Sequence, residues 1–346
     1  MMADKSKSQR TEHDSRYGIL PTLGIVFVAL ILFIVSIFHG SVDIPSDNVI
    51  KILAGKDDNP AWRYIIIYSR LPQALTALLA GGALSVSGLL LQTFFRNPLA
   101  APDIFGVTSG ASLAVALLML APGLVAGSAL SYVSIVVAAF IGAMAVTLLI
   151  WIFSRRVRSS VILIIIGIMV GYICSSAITL LNAMATEEGV RNFVVWGMGN
   201  FSSVGMDSMP IFAVVTVLAT MATFLLVKPL NALLLGTQYA ESLGIRVRRM
   251  RNILLSLTCL LTAVVTAFCG PIAFLALAVP HLARLVIKTS DHRRLLPMTI
   301  AMGSAIALMC NIVTTLPHDG TILPLNAVTP LVGAPVIIYV VMRRRW

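Results

Sequence analysis

Long apolar runs separated by short polar stretches organise the chain. A membrane-spanning helix needs about 20 mostly apolar residues. Ten runs meet or approach that length: 19–39, 71–93, 104–121, 131–153, 161–185, 209–227, 252–269, 272–287, 295–315 and 326–342. The pattern predicts an all-α polytopic membrane protein with about ten transmembrane helices. Residues 1–18 read as a polar tail of mixed charge and 19–346 as the transmembrane domain. The first run is full length and lacks a small-residue cleavage site, so it reads as a retained span and not a signal peptide.

Small residues recur at helical spacing inside the runs. Ala77, Gly81 and Ser85 do so in the second, and Gly167, Gly171 and Ser175 in the fifth, giving smooth faces for close helix approach. Between the second and third runs, "RNPLAAPDIFGVTSGAS" (96–112) reads as a tight cytoplasmic turn. Arg96 anchors it at the interface, Asn97 caps and Pro98 starts a helix, and Gly106, Ser109, Gly110 and Ala111 let the next helix pack closely.

Two segments fit no span. Val190–Phe201, about twelve residues, covers roughly 18 Å as a helix, short of the bilayer core, and suits a half-helix on the outer side at the mouth of a pathway. Pro229–Arg251 predicts two short cytoplasmic helices broken at Gly236 and Gly244. Leu233, Leu234, Leu235, Ala240 and Leu243 there give an apolar face for a cytoplasmic partner. Gly270-Pro271 breaks the chain between two spans, Pro280 kinks the next, and His281 reads as a packed, hydrogen-bonded residue.

Composition agrees: 58% of residues are hydrophobic, 11% are charged, and the mean hydropathy is +0.95, which excludes a soluble globular domain. With ten spans and the N-terminus inside, 20 of the 25 Lys and Arg residues fall on the cytoplasmic side, while eight of the 14 acids fall outside. The positive-inside rule then places both termini in the cytoplasm. The net charge of +11 reflects this topology and anionic membrane lipids, not nucleic acid.

The interior carries little chemistry of its own. No span has an ionised residue near its centre, so an ion-coupled carrier lacks its usual carboxylate, although unwound backbone could still bind sodium in such an alternative. No phosphate-binding G-x-x-x-x-G-K-[ST] loop occurs, so the chain carries no ATPase of its own and any driving energy enters from elsewhere. Cys174, Cys259, Cys269 and Cys310 lie in spans without ligand spacing, and no nucleophile–base set stands out, so neither cofactor, metal site nor enzymatic activity is expected.

Four ordered stretches, "RLPQALTALLAGGALSVSGLLLQTFFRNPLAAPDIFGVTSGAS", "GTQYAESLGI", "GPIAFLALAVPHLARLVIKTSDHRRLLP" and "VTPLVGAPVIIY", resemble the FecCD-type permeases of ABC importers from Arg70 to Arg344. The resemblance implies a type II importer bundle in a bacterial inner membrane. Two ten-helix subunits, expected to be identical, would enclose a pathway for iron-siderophore, haem or vitamin B12. A cytoplasmic pair of P-loop ATPases and an external substrate-binding protein would complete it.

The resemblance also assigns roles. Leu234, Gly236, Ala240, Glu241, Leu243 and Gly244 belong to the loop that engages the ATPase. Arg70 matches a position that docks the binding protein, with Arg63 and Arg191 as substitutes. Ser159 and Ser160 match a cytoplasmic constriction. Met169, Tyr172, Met184, Trp196 and Met198 extend the pathway as a soft thioether and aromatic wall. The pattern departs at Gln73, where the family commonly has arginine, and at Asn311 and Thr315, where it has Asp and Arg.

Overall fold

The computed structural model describes residues 2–56, 59–121, 131–157, 159–316 and 323–343. Every one of the ten apolar runs contains a helix. In chain order these are α1 (Met2–Phe38), α4 (Leu71–Phe95), α5 (Val107–Leu120), α6 (Tyr132–Arg156), α7 (Ser160–Met184), α9 (Met209–Phe224), α12 (Val247–Cys269), α13 (Leu275–Ile287), α14 (His292–Thr314) and α15 (Leu325–Arg343). Between them lie α2 (Ser46–Leu53), α3 (Pro60–Tyr64), α8 (Glu187–Gly197), α10 (Val227–Leu234) and α11 (Thr237–Ser242). No strand occurs among the described residues.

Six helices are long and apolar enough to cross a bilayer alone, and α9 bends by 52° into α10. The shorter α5, α13 and α15 fill the remaining runs. The thirteen residues of α13 cover about 20 Å, and the chain makes up the depth with the non-helical stretch 270–274, which is packed in protein, where irregular backbone is tolerated.

At the centre is α4. Of its apolar window 83% is buried, against 11% for α1 and 17% for α7, so α4 is walled by protein while the other two present open faces. The small-residue stripe explains this. A Cβ at Gly81 would overlap the Gly303 carbonyl of α14, and one at Gly88 would overlap the Ala276 carbonyl of α13. The backbones touch there because neither glycine has a side chain. Gly110 and Gly142 make the same contact between α5 and α6, and Gly167 of α7 seats the backbone of Ile104 and Phe105. Several hydroxyls within the helices bond back one turn, as Thr76 does to the Pro72 carbonyl and Thr258 to that of Leu254, so these cost little in a low-dielectric interior.

Three arginines cap the C-terminal ends of helices other than their own. Arg70 donates to the Ile37 and Phe38 carbonyls at 3.1 and 2.9 Å and to the Val42 carbonyl. Arg251 donates to the Val157 carbonyl at 3.1 Å and to that of Ser154 at the end of α6. Arg96 donates to the Leu233 carbonyl at 2.8 Å at the end of α10. Each satisfies carbonyls that a helix end leaves unpaired and puts positive charge at the negative end of its dipole.

The 96–106 turn differs from its sequence reading. Asn97 caps no helix: its side-chain oxygen accepts from the Leu99 N–H at 2.9 Å and closes a local turn. Arg96 ends α4 in the left-handed region at φ 48°, and helix resumes only at Pro102, in a short 3-10 turn closed by Gly106 at φ 73°. The Pro98 carbonyl is meanwhile occupied by His281 Nε2 at 2.7 Å, which fits His281 being a packed, hydrogen-bonded residue.

Candidate functional site

Two regions stand apart from the packed bundle. The first is the pair α10–α11. Both helices form as expected, and the breaks fall on Gly236 at φ 129° and Gly244 at φ 81°, values that suit glycine alone. Leu233 is buried and anchors α10, while Leu234, Leu235, Tyr239 and Leu243 are exposed. Between these helices and the start of α14 lies a shallow depression of about 340 Å³, edged by Lys228, Leu235, Tyr239, Leu243 and Arg293. Glu241 and Gly244 are exposed beside it, and Gly236 is half-buried.

Ala240 is different. It is 0% exposed, so it supports the pair from beneath and cannot be part of an outward apolar face. Leu243 lies just beyond the six-residue helix and escapes that face.

Behind α10 runs a polar chain that the sequence reading did not single out. The Asn231 amide donates to the Asp291 carboxylate at 2.5 Å, and its oxygen accepts from the His292 backbone N–H at 2.9 Å and ring Nδ1 at 2.8 Å. His292 Nε2 meets the Thr93 hydroxyl of α4 at 2.8 Å. Asp291 also caps α14 by accepting from the Arg293 N–H at 3.0 Å. Burial pushes the Asp291 carboxyl up, but these hydrogen bonds and the charges of Arg293 and Arg294 outweigh it and hold the group below its ordinary value. Its one sequence signal was an N-cap aspartate before an apolar run; Asn231 had none.

The second region is α7 with α8. Ile165, Ile168, Met169, Tyr172, Ile173 and Met184 are all exposed on α7. Ser159 is exposed just ahead of it, and the side chain of Ser160 lies outside the described ones. The half-helix is present as α8, capped by Thr186, with Trp196 stacked on Phe193 at 6.2 Å and Met198 exposed. Asn326, at the start of α15, ties this corner together: its amide donates to the Gly197 and Pro271 carbonyls at 3.1 and 2.6 Å, and its oxygen accepts from the Ala273 N–H at 3.1 Å.

The arginines read as docking residues separate. Arg63 and Arg191 are exposed. Arg70 is only 5% exposed, with its guanidinium spent on the end of α1. Gly40 provides the room, since a Cβ there would lie 2.7 Å from Arg70 Nε.

The family match covers residues 28–343, the whole described bundle apart from the start of α1. The chain belongs to the FecCD transport family. It is 32% identical to the vitamin B12 import system permease protein BtuC of Klebsiella pneumoniae over 93% of each chain. It is also 31% identical to the hemin transport system permease protein HmuU of Yersinia pestis, over 94% of this chain and 97% of that one. Among solved structures it resembles a metal-chelate-type ABC transporter in an inward-facing conformation, with a TM-score of 0.81 and 28% identity over 93% of this chain and 98% of that one. The protein is therefore a multi-pass membrane permease subunit of ABC-importer type and not an enzyme, and ATP hydrolysis belongs to a separate subunit.

Proposed function

We propose that two copies of this chain form the membrane pathway of an ATP-driven importer for a bulky metal chelate of the haem, cobalamin or iron-siderophore class. The observation that carries the reading is the α10–α11 pair, which holds Leu235, Tyr239 and Leu243 exposed on the cytoplasmic side of a bundle that has no nucleotide site in its sequence. An apolar face held out by two short helices suits a protein partner better than solvent. A P-loop ATPase dimer pressing on it would rock the bundle between outward- and inward-facing states.

The exposed face of α7 supports the rest. Its isoleucines suit a second copy of the chain, and Met169, Tyr172, Met184 and Met198, with Trp196 behind, suit a wall that a large chelate slides past without tight binding. Ser159 and Ser160 sit at the cytoplasmic end of that wall. On the outer side Arg63 and Arg191 offer accessible charge to an acidic binding protein, and Arg70 contributes by holding α1 in place. Both termini lie in the cytoplasm in this arrangement, in a bacterial inner membrane.

The test is co-purification of the tagged chain from its native locus, with and without Leu235→Arg and Leu243→Arg. A P-loop ATPase held by the parent and lost by the variant supports the reading. Uptake that persists with that ATPase inactivated and follows an ion gradient instead would replace it with a secondary carrier.

A further inference from the structure

The coupling helices are poorly connected to the bundle by the chain itself. On one side α9 bends 52° into α10. On the other, α11 joins α12 through Gly244 at φ 81° and a short non-helical link. Neither joint carries a straight helix on into the core, so the backbone gives α10–α11 no continuous rod through which to push.

Side chains supply the stiff connection. Asn231, on the inner side of α10, bonds to both Asp291 and His292 at the start of α14, and His292 bonds on to Thr93 in the last turns of α4. Arg96 returns from the end of α4 to the Leu233 carbonyl of α10. The loop of contacts closes α10 to α14 to α4 and back to α10. The two helices it reaches are the ones that pack most extensively on each other, through the Gly81–Gly303 contact.

Chemistry fixes the orientation of the amide. The His292 backbone N–H can only donate, so it takes the Asn231 oxygen; the ionised Asp291 can only accept, so it takes the Asn231 nitrogen. His292 Nδ1 faces the same oxygen and carries the ring proton, which leaves Nε2 of the neutral ring facing the Thr93 hydroxyl, whose single proton is divided between Nε2 and the Leu89 carbonyl.

We infer that Asn231 and Asp291 form the transmission link that carries ATPase-driven movement of α10–α11 into α14 and α4. The inference rests on the importer reading above. Asn231 is a positioning residue: it touches neither ATP nor chelate, and its role is to make α10 and the start of α14 move as one body.

Reversing donor and acceptor tests it. Asn231→Asp sets two carboxylates against each other and breaks the bond to Asp291, leaving the two His292 bonds to position 231 in place. Asp291→Asn alone keeps a neutral amide–amide bond and the N-cap, since asparagine caps as well as aspartate, and is the mild variant. Combining both rebuilds the bond with the roles exchanged, Asn at 291 donating to Asp at 231 in place of its cap bond to Arg293, because one Asp291 oxygen takes both donors in the parent, while His292 still donates to position 231.

The readout is hydrogen exchange of the permease with its co-purified ATPase in nanodiscs, nucleotide-free against ATP–vanadate. In the parent, the nucleotide-dependent change appears in α10–α11 and in the ends of α4 (89–96) and α14 (292–298). In Asn231→Asp it stays in α10–α11 and is reduced in α4 and α14; in the double variant it returns. Undiminished response in α4 and α14 of Asn231→Asp overturns the inference, as does failure of the double variant to recover. Release of the ATPase from Asn231→Asp also overturns it, because the pair would then build the docking surface instead of transmitting through it. Absence of any ATPase from the unaltered chain would instead sink the importer assembly, and this link with it.

Discussion

Gln73 of α4 donates its amide to the side-chain oxygen of Asn311 on α14 at 2.8 Å, and Asn311 donates onward to the Ser36 hydroxyl of α1 at 3.0 Å. These are two of the positions where the family resemblance implies charged residues, and here they are two amides bonded to each other, so neither position brings a charge into the seam.

Breaking that pair from one side will cost stability unequally. Gln73→Leu removes one membrane-embedded hydrogen bond, worth about 1 kcal/mol. Asn311→Asp strands a carboxylate and costs about 3 kcal/mol. Gln73→Arg combined with Asn311→Asp recovers most of the second loss. Thermal unfolding of the four proteins in one detergent gives their order.

The glycine contacts predict a sharp contrast. Gly88→Ala drives a methyl into the Ala276 carbonyl and forces α4 from α13, an overpacking cost of about 1–3 kcal/mol or more. Gly24→Ala on α1 meets nothing within 4 Å and leaves stability unchanged or slightly raised. Fluorescence-detected gel filtration after a heating series separates the two.

Arg70 and the pair Arg63 and Arg191 should fail in different assays. Arg70→Gln leaves carbonyls at the end of α1 without donors and lowers the melting temperature, a loss of about 1–3 kcal/mol. Arg63→Glu with Arg191→Glu leaves melting unchanged and weakens capture of the external binding protein. A weakened capture by Arg70→Gln at full stability would return that residue to the docking surface.

Asp291 adds a pH dependence of known sign. Its carboxyl is held below the ordinary value in the folded chain, so its contribution is fully present above the unfolded carboxylate pKa of about 4. The contribution falls away as pH drops through the depressed folded value. Melting temperature should therefore decline in acid more steeply for the parent than for Asp291→Asn, and the two curves should run parallel near neutrality.

The helices were legible because their signal is long and redundant: ten runs of apolar residues specify ten helices whatever the partners are. Shorter elements were not. The second apolar run reads from 71, yet the chain is already helical before it through α3 and a π-helical stretch, Ile65–Arg70. The Leu71 N–H reaches back to Ile66, a register that accommodates the donor Pro72 lacks. Which face of the six-residue α11 turns inward was equally hidden, because apolar residues three apart do not say which one the bundle covers. Arg70 shows the limit of charge as a guide. From sequence it is a cation beside the outer membrane surface; only the position of α1 reveals that its charge answers a helix end. Asn231 lay beyond reach for the same reason, as its partner is 60 positions away.

The enclosure of α4 also bears on how the protein meets different membranes. A helix surrounded by its own fold is insulated from acyl-chain length and sterol or headgroup content, so its sequence answers to neighbouring helices alone. Residues that fit the protein to a thicker, thinner or more fluid bilayer then belong on open-faced helices such as α1 and α6, only 11% and 22% buried, and not on α4.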